Sequence, residues 1–471
     1  MAKNHRFVFS EQHSIPASSD YSGNRKAPSP LLRFFFLSFF AVTFIILCSS
    51  TILHPFFYFP VTEAESQILN RASSSLCSFV INNSICCDRS AFRTDICFLH
   101  GDVRTHSLSN TIFFQSVVLR QETIRPYTRK WEKNIMAIVS ELRLRAIAGP
   151  TVSCDIVHPF PAVVFSTGGY TGNVFHEFND GIIPLYLTAH HHNRDVILLV
   201  LDHHNWWVSR YAEILSRISR FPPINFSNDS RTHCFPSATV GLHIHDDLTI
   251  DPTQTPLNNS IIGFRQFLDD AYAPRLRWLE VAEKPNLVLV LRNGSRSVEN
   301  EGDLVAMATE MGFRVGILRP EKTTELASIY KVMNGSDVMI GVHGAAMTHF
   351  LFMRPGAVFV QIIPLGTEWA AETYYGAPAR RMGLRYVAYK VRVEESSLWR
   401  EYGREHPVVR EPGKINARGW EETKRVYLDR QNVSLDLGRF RRTLEGVRRY
   451  LDGGRLRRPE EAEEETERRQ K

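Results

Sequence analysis

Apolar and polar positions along this chain alternate in two series. From residue 160 to 265, short apolar runs such as PAVVFS and DVILLVLD alternate with helix-like stretches such as WWVSRYAEILSRIS, the rhythm of α/β units. The second series is clearer. NLVLVLR (286–292) reads as a buried strand, GDLVAMATEMG as a helix ending at Gly312, and FRVGIL as a strand. TTELASIYKVM reads as a helix with Leu326, Ile329, Tyr330 and Met333 at i, i+3, i+4 and i+7. DVMIGV, AAMTHFLFM and AVFVQII follow as strand, short helix and strand. This alternation predicts an α/β fold with a parallel, doubly wound sheet. Ligands on such sheets bind beyond the carboxyl ends of the strands, which directs attention to the loops RNGSR and GVHGAA.

One run breaks the pattern. Phe34 to Leu53, FFFLSFFAVTFIILCSSTIL, is uncharged over about 20 residues, and at ~1.5 Å per residue it spans the hydrocarbon core of a bilayer. A cleaved signal peptide is the rival, but the region ahead is long and no small-x-small site follows. The basic segment 1–33 then stays cytosolic and the rest of the chain is lumenal, a single-pass type II arrangement. Residues 1–33 read as a disordered cytosolic tail, 34–53 as the anchor, 54–75 as a stem, and 453–471 as a charged disordered tail. Sequons at Asn82, Asn225, Asn228, Asn258, Asn293, Asn334 and Asn432 favour a lumenal surface.

Composition fits this picture. Hydrophobic residues make up 43% of the 471, enough for large packed cores. The net charge of +6, from 56 basic and 50 acidic residues, is partly concentrated ahead of the anchor and does not suggest a nucleic-acid partner. Of 7 cysteines, Cys48 lies in the anchor. Cys77, Cys86, Cys87, Cys97, Cys154 and Cys234 remain, an even set suited to three disulfides whose pairing the spacing leaves open. Zinc fits poorly, because Cys86 and Cys87 are adjacent and no CxxC pair occurs.

Candidate chemistry lies in three places. Arg292, Ser295 and Arg296 follow the NLVLVL strand, and two planar guanidiniums suit a phosphate; a solvated loop is the alternative, and Asn293 begins a sequon there. His343, Gly344 and Ala345 lie between a strand and a helix, where free backbone N–H groups and the helix dipole attract anions, although the pattern is not GxGxxG. Glu372 could accept a ribose hydroxyl or be a plain surface acid. In the first half, a helical NVFHEFND puts His176 and Asp180 on one face, and Asn173 and Glu177 on one face. A carboxylate beside an imidazole can act as general base or fix its tautomer, whereas a histidine among phenylalanines can equally be a core residue. HHH (190–192) and DHH (202–204) lack the spacing of a metal site, and no D-x-D triplet or GxSxG occurs, so neither a divalent cation nor a serine hydrolase is implied.

GNVFHEFNDGIIPLYLT, LVLRNGSR, GVHGAAMTHFLFMRPGAVFVQIIP and YYGAPARRMGLRYVAYKV together resemble glycosyltransferase family 61, and most nearly its plant branch that decorates xylan with arabinose or xylose. The resemblance runs over about residues 75 to 450. It implies an inverting, metal-independent enzyme of GT-B type without a cofactor, with two Rossmann-like domains facing a cleft: 76–275 on the acceptor side, 276–400 on the nucleotide-sugar side, and 401–452 a helical segment packing back. It also implies a UDP-pentose donor, a xylan or related glycan acceptor, the Golgi membrane, and a place among other Golgi glycosyltransferases. Carried over by position, Asn173, His176 and Asp180 face the acceptor, with Asp180 or the neighbouring Glu177 as base and His176 as partner. Arg292 and Arg296 meet the diphosphate, and His343, Gly344 and Ala345 begin the family's H-G-A-G-[LM]-T-N stretch. Here Ala346 replaces its second glycine and His349 its asparagine, and a methyl at 346 would crowd a close backbone approach. The rival reading on the same fold is a non-catalytic glycan-binding or scaffold subunit.

Overall fold

Runs without polar alternation became strands covered on both faces, as expected for parallel sheets. In a computed structural model, which describes Cys77 and residues 83–149, 152–255, 259–272, 274 and 283–456, they fall into two sheets. The anchor 34–53, the cytosolic tail, the stem, the tail beyond 456, and the sequons Asn82 and Asn258 lie outside the described residues. Among the described residues no helix is long and apolar enough to cross a membrane.

The first sheet is mixed and ten-stranded. Its strands are β1 (Ser84–Asp88), β2 (Ile96–His106), β3 (Thr111–Gln115), β4 (Gln121–Ile124), β5 (Leu142–Ile147), β6 (Ile156–Val157), β7 (Ala162–Ser166), β8 (Ile197–Leu201), β9 (Ile224–Asn225) and β10 (His233–Val240). Their order is β4-β5-β3-β2-β10-β7-β8-β9, with β1 on β2 and β6 on β10. Only the β10-β7-β8-β9 end is a run of parallel neighbours; β10 on β2, and β2 on β1 and β3, are antiparallel. The first half therefore departs from a purely parallel sheet. Residues 83–147 add a mixed extension, antiparallel except for the parallel β3–β5 pair, whose strands, such as LRLRAI, alternate buried and exposed side chains. Three disulfides hold this half: Cys77–Cys86, Cys87–Cys97 and Cys154–Cys234.

The second sheet is wholly parallel: β11 (Asn286–Val290), β12 (Arg314–Leu318), β13 (Val338–Val342), β14 (Val358–Ile363) and β15 (Arg385–Lys390), in the order β12-β11-β13-β14-β15. The connections from β11 and β13 leave in opposite directions along the sheet, so a crevice opens between the carboxyl ends of these two neighbours. The helix Leu326–Asn334 buries the Leu326, Ile329, Tyr330 and Met333 stripe. The long helix Leu437–Leu456 packs Phe440, Leu444 and Val447 into the core shared with Leu289, Leu304 and Ile340.

Two helices differ from their sequence pattern. AAMTHFLFM forms a 3-10 helix, Ala345–Phe352, in which every residue from Met347 to Phe352 is buried. With no solvent face to present, the segment takes the tighter winding between the sheets. NVFHEFND begins as an α-helix at Val174–His176 and widens into a π-helix at Glu177–Ile182 before Ile183–Ala189. Asn173 is extended and caps the helix, its Oδ1 accepting from Phe175 N at 3.0 Å, so it does not share a helical face with Glu177. Asn334 is also not a free sequon: it is 8% exposed and its Nδ2 donates to Asp269 Oδ1 at 3.1 Å.

Candidate active site

Beyond the carboxyl end of β7, the Thr167–Gly172 loop turns the chain into the π-helical segment. Gly169 is required there: its φ is +67°, and a Cβ would stand 2.5 Å from the Tyr127 ring. The segment carries His176 and Asp180. Asp180 is wholly buried, with Oδ2 2.7 Å from His176 Nδ1 and 2.8 Å from Arg129 Nε, and with Oδ1 accepting from Asn179 Nδ2 at 2.7 Å. Burial works against the Asp180 charge, but the His176 hydrogen bond and the Arg129 cation outweigh it and hold the carboxyl below the usual range. Burial also opposes the charge on Arg129, which Asp180 keeps firmly protonated.

The two members of the pair differ in access: both oxygens of the Asp180 carboxylate are committed inside the protein, whereas the His176 side chain is 16% exposed. His176 Nδ1 has two neighbours, Asp180 Oδ2 at 2.7 Å and Arg129 Nη2 at 3.1 Å; the shorter contact is to a carboxylate, which can only accept, so we assign the proton to Nδ1 and the lone pair to Nε2. Glu177 is likewise tied: its carboxylate accepts from the Tyr211 hydroxyl and from Gly172 N, which braces the loop. His176 and Glu177 help line a shallow hollow with Tyr127, Thr167, Thr171 and Trp207. Arg129 is the residue that sequence reasoning missed. It lies 51 positions from Asp180 in a stretch, PYTRKW, with no periodic or motif signal, and only the fold brings it there.

The second group lies in the β11/β13 crevice. Arg292, Arg296, Gly344, Ala346 and Met347 line a shallow hollow. Arg296 Nη1 donates to the His343 carbonyl at 3.0 Å, and a Cβ on Gly344 would stand 2.7 Å from Arg296 Nη1 and 3.3 Å from Arg292 Nη1. Both guanidiniums thus rest on a residue where a side chain would displace them. Arg296 has φ +58°, held by its N–H to Gln431 O and by the Ser297–Val433 backbone pairing; such non-glycine strain persists where the surroundings enforce it. Among the described residues neither arginine has an ion-pair partner, and Arg296 Nε is buried without a hydrogen bond. Burial, reinforced by the like charge of Arg292, pushes Arg296 down to about 10, and burial lowers Arg292.

His343 is buried and held down at about 3 by burial and by Arg296, so it offers no positive charge to an anion. Its Nδ1 pairs with Gln361 Nε2 at 2.9 Å, and the Gln361 Oε1 accepts from Tyr386. Ser295 sits in the turn between the two arginines, and Ala345 starts the 3-10 helix; neither lines the hollow. Glu372 is 51% exposed and paired with Arg380 outside both hollows, the surface acid that was one of its two readings. His349 is buried, with Nδ1 on the Ala346 carbonyl at 2.9 Å. Tyr375 joins the two groups: its ring lies 5.5 Å from His343 and 5.9 Å from Phe175, whose own ring is 5.1 Å from His176.

The comparisons with known proteins converge on the same stretch. The model of the family Glycosyltransferase 61 matches residues 172–360, which include His176, Asp180, Arg292 and Arg296 but not Arg129. The chain is 46% identical over 421 residues to xylan glycosyltransferase MUCI21 of Arabidopsis thaliana, covering 83% of this chain and 85% of that protein. Identity is 36% to alpha-1,3-arabinosyltransferase XAT3 of Oryza sativa subsp. japonica, over 75% of this chain and 63% of the relative. It is 35% to beta-1,2-xylosyltransferase XYXT1 of the same rice, over 79% and 86%.

Proposed function

The chain belongs to glycosyltransferase family 61, and from that premise we propose that it moves a pentose, arabinofuranose or xylose, from a UDP-sugar onto xylan or a related cell-wall glycan with inversion. One observation carries the donor side: two arginines that have no ion-pair partner among the described residues converge on Gly344 at the crevice between β11 and β13. Arg292 is open to solvent, Arg296 is partly buried with its Nε unpartnered, and paired oxygens of a diphosphate match the guanidinium fork.

The step is a single in-line displacement. His176 Nε2 accepts the proton of an acceptor hydroxyl, that oxygen bonds to the anomeric carbon, and the bond from this carbon to the diphosphate oxygen breaks. Asp180, itself anchored by Arg129, orients the imidazole and stabilises it once protonated. The electron pair ends on the diphosphate, where Arg292 and Arg296 already stand, a role that a divalent cation plays in other transferases and that this pair fills without metal. In the proposed arrangement the two sheets belong to two Rossmann-like halves of a GT-B enzyme, and residues 34–53 hold the chain in the Golgi membrane with the active site in the lumen. A scaffold subunit has no need of an uncompensated arginine pair. A panel of UDP-sugars with a xylo-oligosaccharide acceptor, read by mass, tests the reading: addition of a single pentose from UDP-arabinofuranose or UDP-xylose is expected, and no addition from any donor overturns it.

A further inference from the structure

His176 lies in the middle of a line of aromatic rings that crosses from one half of the protein to the other. On one side Phe175 stands 5.1 Å from His176, Tyr374 is 5.2 Å from Phe175, and Trp369 is 5.5 Å from Tyr374. On the other side Tyr170 is stacked on the His176 ring at 4.1 Å, and the Arg129 guanidinium lies over both Tyr170 and Trp131. Phe92 stacks on Trp131 at 5.1 Å. The two ends are open to solvent, Trp369 at 66% and Phe92 at 72%, although burial would be the ordinary fate of such side chains, while Phe175 between them is buried in the core.

We propose that the exposed rings at the two ends of this line are platforms for an uncharged, linear acceptor glycan, with sugar units on both sides of the one that reacts at His176. The inference rests on the acceptor-side reading of His176 above. Polarised C–H groups on the face of a pyranose suit the electron-rich face of an aromatic ring. Charge decides the class of ligand. Each guanidinium along the line is neutralised: Arg93, over Trp131, pairs with Asp246 and Asp247 at 3.1 and 3.0 Å, and Arg129 pairs with Asp180 and Glu132 at 2.8 and 3.0 Å. This contrasts with the unpaired arginines of the β11/β13 crevice. A neutral chain is therefore favoured on the aromatic line, and the anionic nucleotide in the crevice. Because the exposed rings lie at both ends, the pair of platforms fits an oligosaccharide better than a single sugar.

The test uses the full chain in detergent, titrated calorimetrically with xylo-oligosaccharides of two to eight units, with UDP titrated separately. Affinity is expected to rise with acceptor length. Trp369→Ala and Phe92→Ala are each expected to weaken the longest acceptor about tenfold, to leave the shortest little changed, and to leave UDP affinity unaltered. Affinity independent of length, or long acceptors unaffected by both variants, would overturn the proposal. Failure of the unmodified chain to bind UDP would instead count against the transferase reading.

Discussion

At His176 and Asp180, two side chains four residues apart divide one task, and their surroundings decide which part each takes. The carboxylate is the stronger candidate base by composition, but it is buried under Arg129, and in the proposed step it orients the imidazole, whose nitrogen is the reactive atom. His176→Ala is expected to lower kcat by about 10²–10⁴ with UDP affinity intact, measured by turnover and calorimetry. Asp180→Asn affects stability as well. A folded value below the ordinary Asp value of about 3.9 means that its contribution is complete above that pH and is lost as pH falls through the lowered folded value. Urea unfolding at pH 7 and pH 3 should show the wild type weakening on acidification, while Asp180→Asn starts about 1–3 kcal/mol lower, with Arg129 left to Glu132 alone, and changes less with pH. An unchanged acid dependence would assign the effect to another carboxylate. In the crevice, Arg296→Ala is expected to weaken UDP roughly tenfold to a hundredfold, and Arg296→Lys to recover little of it, because an ammonium restores charge without the fork.

Elements, more than single side chains, bring these groups to their places. The strands were legible because uninterrupted runs such as ILLVL and VFVQII can be buried only between two covering layers. The loops were legible as sites because the alternation put them beyond strand ends. Their winding was not: whether FHEFND becomes an α- or a π-helix depends on Glu177 reaching Tyr211 and Asp180 reaching Arg129, partners remote in sequence. The Cys154–Cys234 link is the strongest covalent tie near this region, joining the start of β6 to β10 across 80 residues. Replacing both cysteines by serine is expected to lower unfolding free energy by about 2–5 kcal/mol, read by thermal or urea unfolding, with β1 and β2 still held by their own links.

For the whole molecule, the proposed lumenal placement and the fold make a joint prediction about glycosylation. Asn228 and Asn293 are exposed and open to the transferase that reads sequons, whereas Asn334 is bonded to Asp269 inside the core. Peptide mapping of the protein expressed through a eukaryotic secretory pathway, before and after deglycosylation, should find glycan on the exposed set and none at Asn334. Asn334→Gln should leave the glycan mass unchanged while destabilising the fold. Glycan at none of the sites would count against the lumenal placement.

The order of strands and helices, the apolar run 34–53, the even set of cysteines and the two arginines of RNGSR were all decided by the sequence itself, because each depends on spacing or composition within a short stretch. Tertiary structure decided which acid is buried, that Arg129 underlies it, that Glu372 faces solvent, and that rings from Phe92 to Trp369 form one line. These are matters of proximity between residues tens or hundreds of positions apart, and a local pattern carries no information about which partner the folded chain will bring to hand.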